Sequence, residues 1–214
     1  MTRRRIGARL GLAVGLMGTG ILLAGCLSPK EDPTRFYVLS TSEVAQVDEA
    51  WDDRPGSIDV GVGPFTIPGY LDRPQFVRRL GPNELLPVGA ARWAETLSEG
   101  FERVLAEDLD ALLPMARVHA HPWRSSTRAQ WIITGYVTQF ETDTTGDAIL
   151  DVTWRVLDPD REPTRVGARS VVRASGTGTS VEAEVAAMSH ALERFAVMLA
   201  DTLKDLKPAQ QHDR

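Results

Sequence analysis

Three segments of alternating polarity, residues 130–142, 147–157 and 164–174, follow one another with only short polar joints between them. No other feature of the chain narrows the fold as much. In the second segment Leu150, Val152, Trp154 and Val156 share one face, while Asp151, Thr153 and Arg155 share the other. A period of two over this length is that of a strand with one wet side. The joints, Thr144-Thr145-Gly146-Asp147 and Asp158-Pro159-Asp160-Arg161, carry turn chemistry, so an antiparallel meander is expected. Its apolar face needs a cover.

Two amphipathic segments supply that cover. Residues 91–113 place Trp93, Leu97, Phe101, Val104, Leu105, Leu109 and Leu112 at three- and four-residue steps, with Glu95, Glu99, Glu102 and Asp110 elsewhere on the wheel. Pro114 ends this helix. A second helix is expected after Gly176-Thr177-Gly178, where Thr179 and Glu182 fit a capping box. Val181, Val185, Met188, Leu192, Phe195, Leu199 and Leu206 form its stripe, and Lys207-Pro208 ends it. Upstream, residues 36–39 and 57–62 read as strands, 84–88 as a short edge strand ending near Pro87, and 117–121 as the return to the sheet. The fold class is α+β: a single mixed, mostly antiparallel sheet with two long amphipathic helices packed on one face.

The N-terminus has a different character. Arg3, Arg4, Arg5 and Arg9 precede an uncharged run over residues 10–25, the layout of a secretory signal. The run falls short of the ~20 residues a membrane-crossing helix needs. Leu23-Ala24-Gly25-Cys26 resembles the bacterial lipobox, which implies cleavage before Cys26 and attachment there of a diacylglycerol and an N-acyl chain. The expected layout is a signal peptide at 1–25, a lipidated tether at 26–35, one domain at 36–207 and a disordered tail at 208–214. Cys26 is the chain's one cysteine, so no intrachain disulfide forms. Leu27 stands where such lipoproteins carry an inner-membrane retention Asp, which points to an outer-membrane anchor facing the periplasm.

Charge and motif content exclude several functions. Without the leader's four arginines, 20 basic residues face 29 acidic ones, a net charge of −9. That is the wrong sign for a nucleic-acid partner. His119 and His121, at i and i+2 on an expected edge strand, are too few for a zinc site. His190 and His212 have no neighbour of that kind in sequence. No GxSxG elbow is present, the Gly176–Ser180 run lacks a P-loop Lys, and the acidic pairs Asp52-Asp53 and Asp158/Asp160 fall in expected loops. No catalytic residue, metal or cofactor is expected beyond the lipid on Cys26.

The segment from Val62 to Arg79 is the most unusual. Pro64, Pro68 and Pro74 stiffen it and Gly69 frees one turn. One reading presents Tyr70, Leu71, Asp72, Arg73, Pro74, Arg78 and Arg79 to a binding partner. The other makes it a crossover that tucks Tyr70, Leu71 and Phe76 into the core and pairs Asp72 with an arginine.

With the lipobox at Cys26, "TRFYVLS" from Thr34, "VGVGPFTIPGYLDRPQFVRR" from Val60, "ARWAETLSEGFERVLAEDL" from Ala91 and "AAMSHALERFAVMLADTL" from Ala186, the chain resembles the PqiC-type ABC-transport auxiliary lipoproteins. That family accompanies MCE-domain lipid transport systems of Gram-negative bacteria. The resemblance implies a non-enzymatic outer-membrane lipoprotein and homo-oligomer, partnered by a periplasm-spanning MCE protein and its inner-membrane apparatus. The alternative is a stand-alone periplasmic lipoprotein that binds lipid or another hydrophobic ligand in a pocket between helices and sheet.

Overall fold

The computed structural model describes residues 32–41, 58–124, 127–159 and 161–206, with the side chains of 161–165 excepted. Cys26, the signal peptide, most of the tether, the Asp52-Asp53 pair, Asp160, His212 and the tail at 208–214 lie outside the described residues.

In chain order the elements are β1 (Arg35–Tyr37), β2 (Ile58–Thr66), β3 (Gln75–Gly81), β4 (Glu84–Trp93), α1 (Leu97–Leu112), β5 (Ala116–Ala120), β6 (Trp131–Thr142), β7 (Ala148–Asp158), β8 (Arg161–Ala174) and α2 (Val181–Asp205). All eight strands join one mixed sheet. Its longest ladders are the antiparallel β6–β7 and β7–β8 pairs, the meander expected from the alternation. The other edge of β6 forks. Val60 to Thr66 of β2 pair parallel with Trp131 to Tyr136, whereas Arg78 of β3 pairs with Thr142 at the far end. One wing continues from β2 to β5, the other from β3 to β4 and β1.

Burial follows the stripes. Ile133, Val137, Leu150, Val152 and Val156 of the meander are fully buried, as are Phe101, Leu105 and Leu109 of α1 and Leu192, Phe195 and Leu199 of α2. Phe65, Phe101 and Phe140 tie β2, α1 and β6 together, with ring centroids 5.1 and 5.5 Å apart.

Four sequence expectations need correction. The first helix starts at Leu97, not residue 91, because Thr96 and Glu99 close a capping box. Residues 91–93 belong to β4 and pair in parallel with β1, so the four-residue step from Trp93 to Leu97 joins a strand to a helix. Second, β4 runs on through Pro87 rather than ending there. β1 covers only Ala91 to Trp93, so Pro87 stands where β3 is the one neighbouring strand and a missing N–H is tolerated. Third, the cap of α2 is Ser180, one residue after Thr179, with its hydroxyl accepting from the Ala183 N–H. Fourth, Glu102 and Asp110 do not face water. α1 is enclosed between sheet and α2, and these acids satisfy backbone donors, Glu102 that of Phe65 at 2.6 Å and Asp110 that of Val118 at 3.1 Å.

Candidate partner interface at the sheet fork

Residues 67–74 form the turn at which the chain leaves one wing of the sheet for the other. The Leu71 and Asp72 amides both donate to the Pro68 carbonyl, at 2.8 and 3.0 Å, and close the turn. Leu71 is then driven into the core, 1% exposed, and Phe76 follows it.

Asp72 is fixed by α1. Its carboxylate accepts from the Ser98 amide and hydroxyl at 3.1 Å, supplementing Thr96 at the helix N-terminus. Its partner is therefore a serine and a backbone amide, not the arginine of the crossover reading. The Pro74 carbonyl takes the Trp93 amide at 2.8 Å, and Arg73 donates to Gln75 at 2.9 Å. Asp72, Arg73 and Pro74 form an exposed tip braced on both sides.

The arginine doublet is divided by the pleat. Consecutive strand residues point to opposite faces, so Arg78 and Arg79 bind different acids. Arg79 pairs with Glu141 of β6, whose side chain is fully buried. Tyr70 joins them, its hydroxyl donating to the Thr138 carbonyl at 3.0 Å and lying 3.4 Å from Glu141. Burial and the Glu141 charge push the Tyr70 hydroxyl pKa up. Arg79 is held above the ordinary arginine value, since Glu141 outweighs the opposing effect of burial.

Arg78 crosses to the helix side. Its Nη2 lies 2.6 Å from Glu184 in the first turn of α2 and donates to the Thr179 carbonyl at 3.1 Å. The Glu184 side chain is fully buried, and its oxygens lack a well-aligned hydrogen bond, so the contact with Arg78 is an ion pair of imperfect geometry. Burial pushes the Glu184 carboxyl up despite Arg78.

The structure thus gathers all seven candidate residues into one turn and the strand after it, and divides their tasks. Leu71 is core, Tyr70, Arg78 and Arg79 are half-buried braces, and Asp72, Arg73 and Pro74 face solvent. Sequence reasoning missed the two acids that organise them, Glu141 and Glu184. Glu184 carried one signal, a carboxylate between Ala183 and Val185 beside the helix stripe, whereas Glu141, between Phe140 and Thr142, carried none. The histidines serve separate carboxylates: His119 lies 2.8 Å from Asp59, which also pairs with Arg117 at 2.9 Å, and His121 lies 3.7 Å from Glu102. Among the described residues no group of three or more His, Cys, Asp or Glu is placed to hold a metal.

Residues 37–200 match the family described as ABC-type transport auxiliary lipoprotein component. No curated protein matches the sequence. Among solved structures, an uncharacterized protein is 15% identical with a TM-score of 0.65, over 79% of this chain and 98% of its own. Protein XCC0632 from Xanthomonas campestris is 20% identical with a TM-score of 0.58, over 77% of this chain and 92% of its own. At these identities the likeness is one of fold.

Proposed function

This chain belongs to the family of ABC-type transport auxiliary lipoprotein components, and from that premise we propose that it docks a periplasm-spanning MCE-domain protein at the outer membrane. Acyl chains on Cys26 hold the domain at the inner leaflet. The Asp72-Arg73-Pro74 tip, with Tyr70, Leu71, Arg78 and Arg79 bracing it, meets the partner or a neighbouring copy in a homo-oligomer. The protein performs no chemistry of its own; it gives the conduit an end point, so that lipid passes between membranes.

The observation that carries this reading is the bracing itself. An exposed turn tied to α1 through Asp72, to β4 through Pro74 and to two buried acids through its arginines loses little freedom on binding. The test is co-purification with a periplasm-spanning MCE-domain protein. Arg73→Glu and truncation of the partner's C-terminus are each expected to abolish it without lowering the melting temperature. A complex that survives both changes would overturn the docking role.

A further inference from the structure

The fork lies at the N-terminal ends of both helices. At their C-terminal ends, the starts of β2 and β5 and the ends of α1 and α2 wall a recess of about 390 Å³. Its lining is Ile, Val, Leu, Pro, Met and Ala with one exception, Lys204. Nothing in the docking role requires such a space.

Size and chemistry together limit what fits. An apolar cavity of ~150 Å³ takes one benzene, six carbons, so this recess takes about fifteen, one acyl chain and not two. Met115 is 68% exposed at its edge, a flexible side chain able to lie along such a chain. Lys204, the one charged lining residue, pairs only at 3.2 Å with Asp201, and both side chains are more than half exposed. An exposed pair of this kind contributes little, so the ammonium is available to an anion. The α2 carbonyls that end nearby disfavour an anion by themselves, and Lys204 in the last helical turn offsets them.

We propose that this recess holds a single acyl chain whose anionic head, carboxylate or phosphate, meets Lys204 at the rim. The inference deepens the transport reading by naming a ligand class, and it rests on that reading for its role.

The test uses the intact acylated protein in phosphatidylethanolamine and phosphatidylglycerol vesicles, with palmitic acid bearing a diazirine midway along its chain. After irradiation, adducts are expected on the peptides holding residues 113–116 and 203–206. Leu203→Trp, which fills the recess, and Met115→Trp, which covers it from an exposed position, are each expected to cut labelling at least tenfold. Because Met115 is exposed, its variant decides the matter if Leu203→Trp does not fold. Lys204→Glu should weaken labelling by palmitic acid several-fold and leave a diazirine-bearing hexadecanol unaffected. A lysophosphatidylglycerol probe labelling more strongly than palmitic acid assigns the head to phosphate, and the reverse assigns it to carboxylate. Labelling unchanged in both tryptophan variants, equal labelling by a two-chain phospholipid probe, or cross-links showing residues 207–214 or a second copy in the recess would overturn the proposal. Co-purification with the MCE partner is read in parallel, so loss of the site and loss of docking are separate results.

Discussion

Glu184 and Arg78 illustrate how one buried acid fixes distant parts of a chain. The Glu184 side chain is fully buried and the Arg78 side chain 19% exposed, so removing one partner strands a charge. Arg78→Ala is expected to lower the unfolding free energy by about 3 kcal/mol, read by urea denaturation. Adding Glu184→Leu should recover most of that loss, since the stranded carboxylate is then gone. Glu102 gives a pH signature. Burial pushes its carboxyl above the ordinary 4.5, against the pull of the Phe65 amide and the His121 charge. The folded chain therefore binds a proton more readily than the unfolded one, and stability declines as pH rises from 4.5 through the raised folded value. Glu102→Gln retains an acceptor for Phe65 and is expected to flatten that decline and raise the melting temperature at neutral pH, measured by thermal scans from acid to neutral. These acids were not legible in the sequence. On a helical wheel Glu102 counts as polar surface, and its partners, Phe65 and His121, come from other elements.

Local signals account for the elements that formed as expected. The alternation of β7 and the stripe of α2 are each long enough to fix a period, and the structure follows both, except that Asp151 on the polar face of β7 is buried beneath Arg169. The region around β3 and β4 was less legible because Pro64, Pro68, Pro74 and Pro87 read as breakers. In the folded sheet they occupy a register shift, a turn and a place with one neighbouring strand, where a proline does no harm. The start of α1 was hidden by an accidental four-residue step, although Thr96 and Glu99 marked it. Thr96→Ala is expected to cost about 1 kcal/mol, and Asp72→Ala to add to it, both visible in denaturant midpoints. The β6–β7 turn is tighter still. Gly146 has φ +88°, and a Cβ there would lie 2.2 Å from the Gly178 carbonyl oxygen. Gly146→Ala should lower stability by at least ~1 kcal/mol and disturb the loop leading into α2, seen as faster amide exchange at residues 176–180.

At the scale of the whole molecule, one mixed sheet covered by two helices has its exposed tip at one end of the helices and its apolar recess at the other. The fold class was legible because the meander and both stripes dictate it. The fork was not, because a branch in a sheet leaves no period in the sequence, and it is made by pairings between residues such as Arg78 and Thr142 that lie far apart in the chain. Cohesion comes from packing, since the one cysteine admits no internal cross-link. The melting temperature is accordingly expected to be the same with and without reductant.

On the proposed anchoring at Cys26, β1 takes on a mechanical meaning. A pull along the leading segment reaches the sheet at Arg35 to Tyr37, three residues paired with β4 alone. Behind them stand the hydrogen bonds of the Ala94 amide to the Tyr37 carbonyl and of Arg103 to the Leu39 carbonyl. A short ladder peels before a long one, so tension is spent detaching this strip while the β6–β7–β8 ladders stay closed. Under the proposed anchoring and docking, a jolt between the two is expected to lengthen the leash before it disturbs the core of the sheet.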